Sequence, residues 1–368
     1  MEKKKRNSNF ELLRIIAMLL IVFHHSIVHG LLNNSISING SGNAVPLQAW
    51  LTTFCGELVA MFGKVAVAVF VMISGYFLVN SSAKGKKVFK KIFLLVAQVC
   101  FYSLLIYLVA AFFKWINPND LGTKQQAFFP FFYNTYWFAI EYLLLYLIYP
   151  YINAALHSIS RKQHRNLILI GIITFTVIPM IIPAFIDYGS YGEIVLFALY
   201  YVIGAYLRLY NLKSEKSRGA VLFICGSAIL ALIMFYYDYM GGVSNNQQYF
   251  ADSFVLAGQY SFIIVIIAMG VMMMFKHIDL GQNSIINTIA ATTFGVYLIH
   301  DNPIMEQVIW TKWLNMPSML TSNIGRFLLT ILIACPLIFI GCSLIDFVRI
   351  KLFNSIAVIY RKIKKARN

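Results

Sequence analysis

The sequence contains little charge and none of the familiar motifs of soluble enzymes. Only 12% of its 368 residues are charged, and Asp and Glu together number 14. The five cysteines form no CxxC pair, so neither a disulfide framework nor a zinc site is predicted. No GxSxG, HExxH, Walker or GxGxxG pattern occurs in a convincing context, and no nucleic-acid module is recognisable. We therefore predict no bound metal, no tightly bound cofactor and no nucleic-acid partner.

Long apolar runs take the place of such motifs. Hydrophobic residues make up 60% of the chain, and the mean hydropathy is +0.72. About 20 apolar residues in a helix cross the hydrocarbon core, and a helix satisfies its backbone polar groups internally. We therefore predict an all-α polytopic membrane protein with about ten transmembrane helices. The ten runs cover residues 10–30, 54–79, 91–113, 135–155, 166–186, 193–210, 219–237, 254–275, 288–305 and 324–348. The aromatic segment 120–134 is interrupted by Pro130 and is predicted to lie at the membrane interface.

The basic residues predict the orientation of these helices. With a cytoplasmic N-terminus, 24 of the 30 Lys and Arg residues fall on the inner side and four on the outer side. This asymmetry is the positive-inside rule, and it places both termini in the cytoplasm. The net charge of +16 is therefore explained without a nucleic acid. We expect a transmembrane domain over 1–350, followed by a basic cytoplasmic tail over 351–368 that contacts anionic headgroups.

The first apolar run, 10–30, carries an unusual number of ionisable side chains. They are Glu11, Arg14, His24, His25 and His29. An ionisable group in hydrocarbon is unfavourable, so its presence suggests a function. Arg14 and His25 are eleven residues apart, which places them on nearly the same helix face and about 16 Å apart along the axis. His24 points about 100° away from His25, which favours a structural role for His24.

His25 is the first candidate for chemistry. A neutral imidazole accepts a proton from an alcohol near neutral pH, which is what acyl transfer to a hydroxyl needs. The alternative is a histidine that hydrogen-bonds a neighbouring helix.

Arg14 also has two interpretations. Its guanidinium suits a phosphate or carboxylate ligand, but it could instead extend to the headgroups or pair with Glu11.

Glu57 and Lys64 share one face of the second run. They could line a water-filled cavity as an ion pair, or Glu57 could simply lie at the outer interface. The residues that follow Lys64 are mostly small, and Ser74 with Gly75 predicts a close helix–helix contact.

Two later segments add candidates. Trp137 and Glu141 lie one turn apart on the same helix face. Glu141 could accept a proton or orient a histidine, or it could only hydrogen-bond a tyrosine. His300 and Asp301 end the ninth run and are expected to form an interfacial pair at a helix terminus.

Five segments, in this order, resemble the acyltransferase-3 family of bacterial integral-membrane acyltransferases. They are NFELLRIIAMLLIVFHHS from residue 9, FVMISGYFL from 70, YWFAIEYLLLYLIYP from 136, YYVIGAYL from 200 and TFGVYLIHDNPI from 293. Each segment is short and apolar, but five in family order cover most of the chain.

The resemblance implies about ten helices, a cytoplasmic acyl-CoA donor, usually acetyl-CoA, and a carbohydrate hydroxyl as acceptor. It implies that His25 is the catalytic histidine and that Arg14 corresponds to the family arginine. Many members have an RxxR pattern in the inner loop after the second helix, where this chain has lysines instead. Lysine binds a phosphate as a point charge rather than through a bidentate contact. These lysines, expected with Arg14 to bind the donor, are Lys86, Lys87, Lys90 and Lys91.

The function predicted from the sequence is therefore a membrane-bound O-acyltransferase in the bacterial plasma membrane. It would transfer an acyl group, expected to be acetyl, from acyl-CoA to a surface carbohydrate or its lipid-linked precursor. We predict His25 and Glu141 as catalytic residues. Side chains expected to support the site or line its cavity are Glu57, Lys64, Trp137, Tyr297 and His300. The alternative is a transporter, flippase or polymerase for surface polysaccharide.

Overall fold

The computed structural model describes residues 7–32, 47–81, 85–182, 193–244, 246–256 and 258–367. Within these ranges the chain is helical and contains no strand, which confirms the all-α prediction. The predicted basic run 3–6 and most of the first outer loop, 33–46, lie outside the described residues.

Fifteen α-helices follow one another along the described part of the chain. They are α1 (Ser8–His25), α2 (Leu47–Leu78), α3 (Lys86–Phe112), α4 (Leu121–Phe128), α5 (Trp137–Ser158), α6 (Arg161–Ile172), α7 (Ile178–Ile181), α8 (Glu193–Leu209), α9 (Glu215–Ser244), α10 (Gln247–Leu256), α11 (Phe262–Phe275), α12 (Ser284–Ala290), α13 (Thr293–His300), α14 (Pro303–Glu306) and α15 (Ile324–Arg367). π-helical turns extend α1 over Ser26–Leu31, join α6 to α7 over Ile173–Val177, and follow α14 over Gln307–Trp313.

Seven of the described helical segments are long and apolar enough to cross a membrane, by length and composition. They are Ser8–Leu31, Leu47–Leu78, Lys86–Phe112, Trp137–Ser158, Arg161–Ile181, Glu215–Ser244 and Ile324–Ile356. The other three predicted spans correspond to shorter helices, namely α8, α11 and the pair α12–α13. A count of ten spans and a cytoplasmic location of both termini therefore stay predictions.

Two predicted segments can be compared directly with the structure. The ninth run is not one helix, because α12 ends at Ala290 and α13 begins at Thr293. At this break the Thr292 hydroxyl donates a hydrogen bond to the Ile289 carbonyl at 2.7 Å. The segment 120–134 contains only the eight-residue α4, which Asp120 caps by accepting from the Thr123 amide. Eight residues extend about 12 Å, so this helix is too short to span a bilayer.

The core of the molecule is built around α2, the most buried of the seven long helices. α1 packs along one side of α2 and α8 along another. Gly75 on α2 lies against the Tyr201 carbonyl, and Gly204 on α8 lies against the Met72 carbonyl. Since neither contact leaves room for a Cβ atom, the two backbones touch, as the small residues after Lys64 predicted.

The close contact of Gly204 with the Met72 carbonyl should contribute to stability. We expect Gly204→Ala to lower the free energy of unfolding by about 1–3 kcal/mol, because the new methyl group would overlap the Met72 carbonyl oxygen. The melting temperature of the detergent-solubilised protein should fall by several degrees. Gly341→Ala on α15 is the matched control, because a Cβ there has no neighbour within 4 Å. Equal melting temperatures for the two variants would contradict the close packing of α2 and α8.

Candidate active site

His25 lies at the end of α1, where the helix passes into the π-helical turn Ser26–Leu31. Such turns in α-helices occur frequently at functional sites. His29 follows one turn later, and the centroids of the two imidazole rings are 4.9 Å apart. The His25 side chain is only 9% exposed and that of His29 is 25% exposed. The two histidines therefore form one group that extends from the buried centre toward the surface.

α13 and the turn after it bring two further groups to His25. The His25 Nδ1 atom lies 2.9 Å from an Asp301 carboxylate oxygen and 3.0 Å from His300 Nε2. The His300 Nδ1 atom lies 2.6 Å from the Val296 carbonyl oxygen. All three side chains are buried, so each of these polar contacts replaces water.

These contacts assign the protons on the two imidazole rings. A carbonyl oxygen only accepts, so His300 must donate its Nδ1–H to Val296, and its Nε2 then carries a lone pair. His25 consequently donates its Nδ1–H to the Asp301 carboxylate and to His300. The Nε2 atom of neutral His25 is left with a free lone pair. A histidine held in this tautomer by a carboxylate is the arrangement that general-base catalysis uses.

His29 and Glu306 form the outer edge of the same cluster. The His29 Nε2 atom lies 3.5 Å from Asp301 Oδ1 and 3.4 Å from Glu306 Oε1. Burial raises the pKa of the Glu306 carboxyl to about 7, although the neighbouring His29 acts in the opposite direction. A protonated carboxyl both donates and accepts hydrogen bonds, so the raised pKa favours a Glu306 side chain that can do both.

A buried tyrosine holds the turn that carries Asp301. The Asn302 side-chain amide donates to the Tyr136 hydroxyl at 2.7 Å, and this hydroxyl donates to the Leu298 carbonyl at 3.1 Å. Asn302 also accepts from the Ile304 amide at the start of α14. These bonds fix the backbone on both sides of Asp301 and so fix the direction of its carboxylate.

A cavity of about 340 Å³ connects His25 with Arg14. Both residues line it, together with α2, α3, α5, α12 and α13. Its remaining polar and aromatic lining residues include Ser74, Gln98, Trp137, Phe138, Tyr142 and Tyr297. The side chains that the sequence placed on one helix face, about 16 Å apart, therefore face the same space.

Arg14 is paired at the other end of this cavity. Its guanidinium lies 2.9 Å from Glu11 and stacks over the Phe77 ring at 5.9 Å. The Arg14 side chain is 28% exposed. A monodentate contact to Glu11 leaves other N–H groups of the guanidinium available to a second anion.

The four lysines of the predicted donor site lie on the first turns of α3 and are exposed. Lys91 stacks over Tyr146 at 5.8 Å and lines a second cavity of about 180 Å³. Tyr142 and two leucines of α3 line both cavities. Of the four lysines, Lys91 is thus the one that the structure places beside the Arg14–His25 cavity.

The other predicted residues are distributed around this centre. Trp137 and Tyr297 line the cavity, and His300 contacts His25 directly. Lys64 does not line the cavity, but it is close enough to Asp301 and His25 for their charges to interact. Glu57 is buried elsewhere on α2 and accepts from Ser253 at 2.7 Å.

Glu141 does not meet His25. It is buried on α5, and the charged group near it is Glu193. The carboxylate that contacts His25 is Asp301, which the sequence pattern indicated only as an interfacial partner of His300. Glu306 was not identified at all. The signal for Asp301 was its position beside a histidine within an apolar run. No local pattern links it to His25, which lies about 275 positions earlier in the chain.

His24, by contrast, bonds the Ala60 carbonyl of α2 at 2.7 Å, as expected of a structural histidine.

The same cluster contains groups that metal ions use as ligands. One ligand atom from each of His25, His29 and Asp301 lies within 4.8 Å of the others. Two histidines and a carboxylate would suit a transition metal ion. Direct hydrogen bonding between His25 and Asp301 accounts for their approach without one.

The fold and the site define a polytopic membrane protein with a histidine–aspartate centre beside a cavity that Arg14 also lines. The chain belongs to the acyltransferase-3 family. The model of this family, Acyl_transf_3, described as an acyltransferase domain, matches residues 7–346. No curated protein and no solved structure matches the chain. The resemblance seen in the sequence is thereby confirmed, and the family supports a membrane acyltransferase.

Proposed function

We propose that the protein transfers an acyl group, expected to be acetyl, from cytoplasmic acyl-CoA to a hydroxyl of a surface carbohydrate or its lipid-linked precursor. We place this reaction in the bacterial plasma membrane. One observation carries the proposal. A neutral histidine oriented by a carboxylate and an arginine three helical turns away line one cavity of about 340 Å³. This arrangement suits a donor whose phosphates and reactive carbonyl carbon are far apart.

In the proposed reaction, His25 Nε2 removes the proton of the acceptor hydroxyl. The hydroxyl oxygen attacks the thioester carbonyl carbon and forms a tetrahedral intermediate. The C–S bond then breaks, the acyl ester leaves, and the thiolate takes the proton back from the His25 imidazolium as CoA-SH. Asp301 stays ionised throughout and stabilises the imidazolium. A second route, in which His25 carries the acyl group briefly, uses the same residues.

Tyr297 is suited to stabilise the intermediate. It lines the cavity with His25, and its buried hydroxyl makes no hydrogen bond of good geometry among the described residues, although Asp301 and the Phe138 backbone lie near it. A donor that is only weakly engaged in the resting site and meets the developing oxyanion contributes mainly in the transition state. We therefore assign the Tyr297 hydroxyl to the carbonyl oxygen of the thioester.

The direct test uses the purified full chain in nanodiscs with [¹⁴C]acetyl-CoA. The acceptor is the envelope glycan of the producing cells, stripped of esters with mild base. We expect label to enter the glycan and to be released again by mild base, as an O-acetyl ester is. A protein that leaves acetyl-CoA intact and the glycan unlabelled would contradict the proposed reaction.

Arg14 is expected to bind the phosphates of the donor. Arg14→Ala should raise the KM for acetyl-CoA by about 10- to 100-fold, the factor for one charge-assisted hydrogen bond. S-acetylpantetheine lacks the nucleotide phosphates, so its KM should not change. Arg161→Ala is the matched control, because Arg161 also stacks on an aromatic ring, that of Tyr210 at 5.5 Å, but does not line the cavity. An equal rise of KM for both donors would remove Arg14 from the phosphate site.

A further inference from the structure

A second group of polar side chains lies near Glu193, which is half-buried at the start of α8. The Tyr260 hydroxyl donates to Glu193 at 3.0 Å. Glu141 on α5 and Lys64 on α2 both lie close enough to Glu193 for their charges to interact. Lys64 also interacts with Asp301. The group, which we call the Glu193 cluster, therefore lies beside the histidine centre but outside the Arg14–His25 cavity.

The segment before α11 completes the Glu193 cluster. The Gln259 carbonyl accepts from the Tyr200 hydroxyl of α8 at 2.8 Å, which places residues 259–261 against α8. Ser261 is the N-cap residue of α11, but its side chain makes no capping hydrogen bond. The Ser261 hydroxyl is therefore not engaged in capping the N-terminus of α11.

Three polar atoms of the Glu193 cluster have no hydrogen-bond partner among the described residues. They are Glu141 Oε2, Gln259 Nε2 and Ser261 Oγ. These side chains are only 2%, 6% and 1% exposed. A buried polar group without a partner is unfavourable, and most native proteins avoid it. Glu141 lies near the half-buried Glu193, and Gln259 and Ser261 flank Tyr260, whose hydroxyl bonds Glu193. The three atoms therefore belong to segments that meet near this carboxylate, and a polar molecule bound there would supply their missing hydrogen bonds.

The chemistry of the Glu193 cluster selects the class of that molecule. Carboxylates accept hydrogen bonds, an amide and an ammonium group donate them, and a serine hydroxyl does both. A polyol needs this mixture, because each sugar hydroxyl is at once a donor and an acceptor. Trp137, one turn before Glu141 on α5, lines the Arg14–His25 cavity.

We propose that Lys64, Glu141, Glu193, Gln259 and Ser261 bind the hydroxyl-rich acceptor. Its role as acceptor rests on the function proposed above, but binding itself does not. In the predicted topology all five residues and His25 belong to the outer half of the membrane, whereas Arg14 lies at the inner side. Donor and acceptor then reach His25 from different sides.

The test measures binding without any donor. The full chain in nanodiscs is titrated with labelled oligosaccharides of base-treated envelope glycan. Gln259→Leu and Ser261→Ala should each raise the Kd by about 3- to 10-fold, the factor for one hydrogen bond. Ser227→Ala is the matched control, because the Ser227 hydroxyl on α9 also has no partner among the described residues. Melting temperatures identify any variant that fails to fold.

Two results would overturn the acceptor site. One is saturable binding that none of the Glu193-cluster variants changes. The other is the absence of binding by the wild-type protein, which would mean that only water hydrogen-bonds these polar atoms. Neither result depends on whether acetyl-CoA is consumed. The binding titration therefore tests the acceptor site, and the labelling experiment tests the proposed reaction.

Discussion

Replacement of His25 by glutamine is expected to lower the rate of acyl transfer by about 10²- to 10⁴-fold, the usual contribution of a general base. Glutamine keeps the size and polarity of the side chain, but it cannot take a proton from the acceptor hydroxyl. The measurement is the initial rate of ester formation with saturating acetyl-CoA. Binding of acetyl-CoA should change little, because the role proposed for His25 is toward the acceptor hydroxyl and not toward the phosphates of the donor.

His24→Gln is the control for the His25 variant. His24 is the adjacent histidine and is equally buried, but it bonds the Ala60 carbonyl on α2. We expect this variant to keep most of its activity once its fold is verified. Full activity of the His25 variant would remove His25 from catalysis. Loss of activity in the His24 variant alone would move the catalytic role by one residue.

Asp301→Asn is expected to lower kcat by about 10²- to 10⁴-fold while the KM for acetyl-CoA stays nearly constant. Asparagine can present its NH₂ group to His25 Nδ1, which would then accept instead of donate. The proton would move to Nε2 and block the base. A merely structural defect would instead lower the amount of folded protein, which size-exclusion chromatography measures.

A double variant separates these explanations. If Asp301 acts only by holding the tautomer of His25, then Asp301→Asn adds almost nothing once His25 is glutamine. Additive losses would show that Asp301 has a role of its own. Glu306→Gln is the comparison for charge, because Glu306 contacts His29 and not His25. It should cost much less activity than Asp301→Asn.

Much of the site can be predicted from the first helix alone. Arg14 and His25 stood out because ionisable side chains are unfavourable in hydrocarbon, and helical geometry placed them on one face. The structure places both on one cavity. The resemblance to the acyltransferase-3 family rested on short segments in order, and the family model confirms it.

The choice of carboxylate could not be predicted in the same way. Glu141 and Asp301 are both acidic residues in or beside apolar segments, and helix periodicity does not distinguish them. Their roles differ because α13 ends beside the end of α1, whereas Glu141 faces α8. The break between α12 and α13 was missed for the same reason, since an apolar run does not reveal where a helix is interrupted.

Hydropathy and five short segments in order were enough to identify a membrane-embedded helical chain of the acyltransferase-3 family, and to find an ionisable histidine and arginine in its first apolar helix. Hydropathy, charge bias and helix periodicity are local properties, so they can be read from one segment at a time. Which groups meet depends on how separate helices pack. Asp301 and His300 lie about 275 residues after His25, and the packing of α13 against α1 brings them within hydrogen-bonding distance. That packing gives His25 a carboxylate partner that orients its ring, which no single segment of the sequence could reveal.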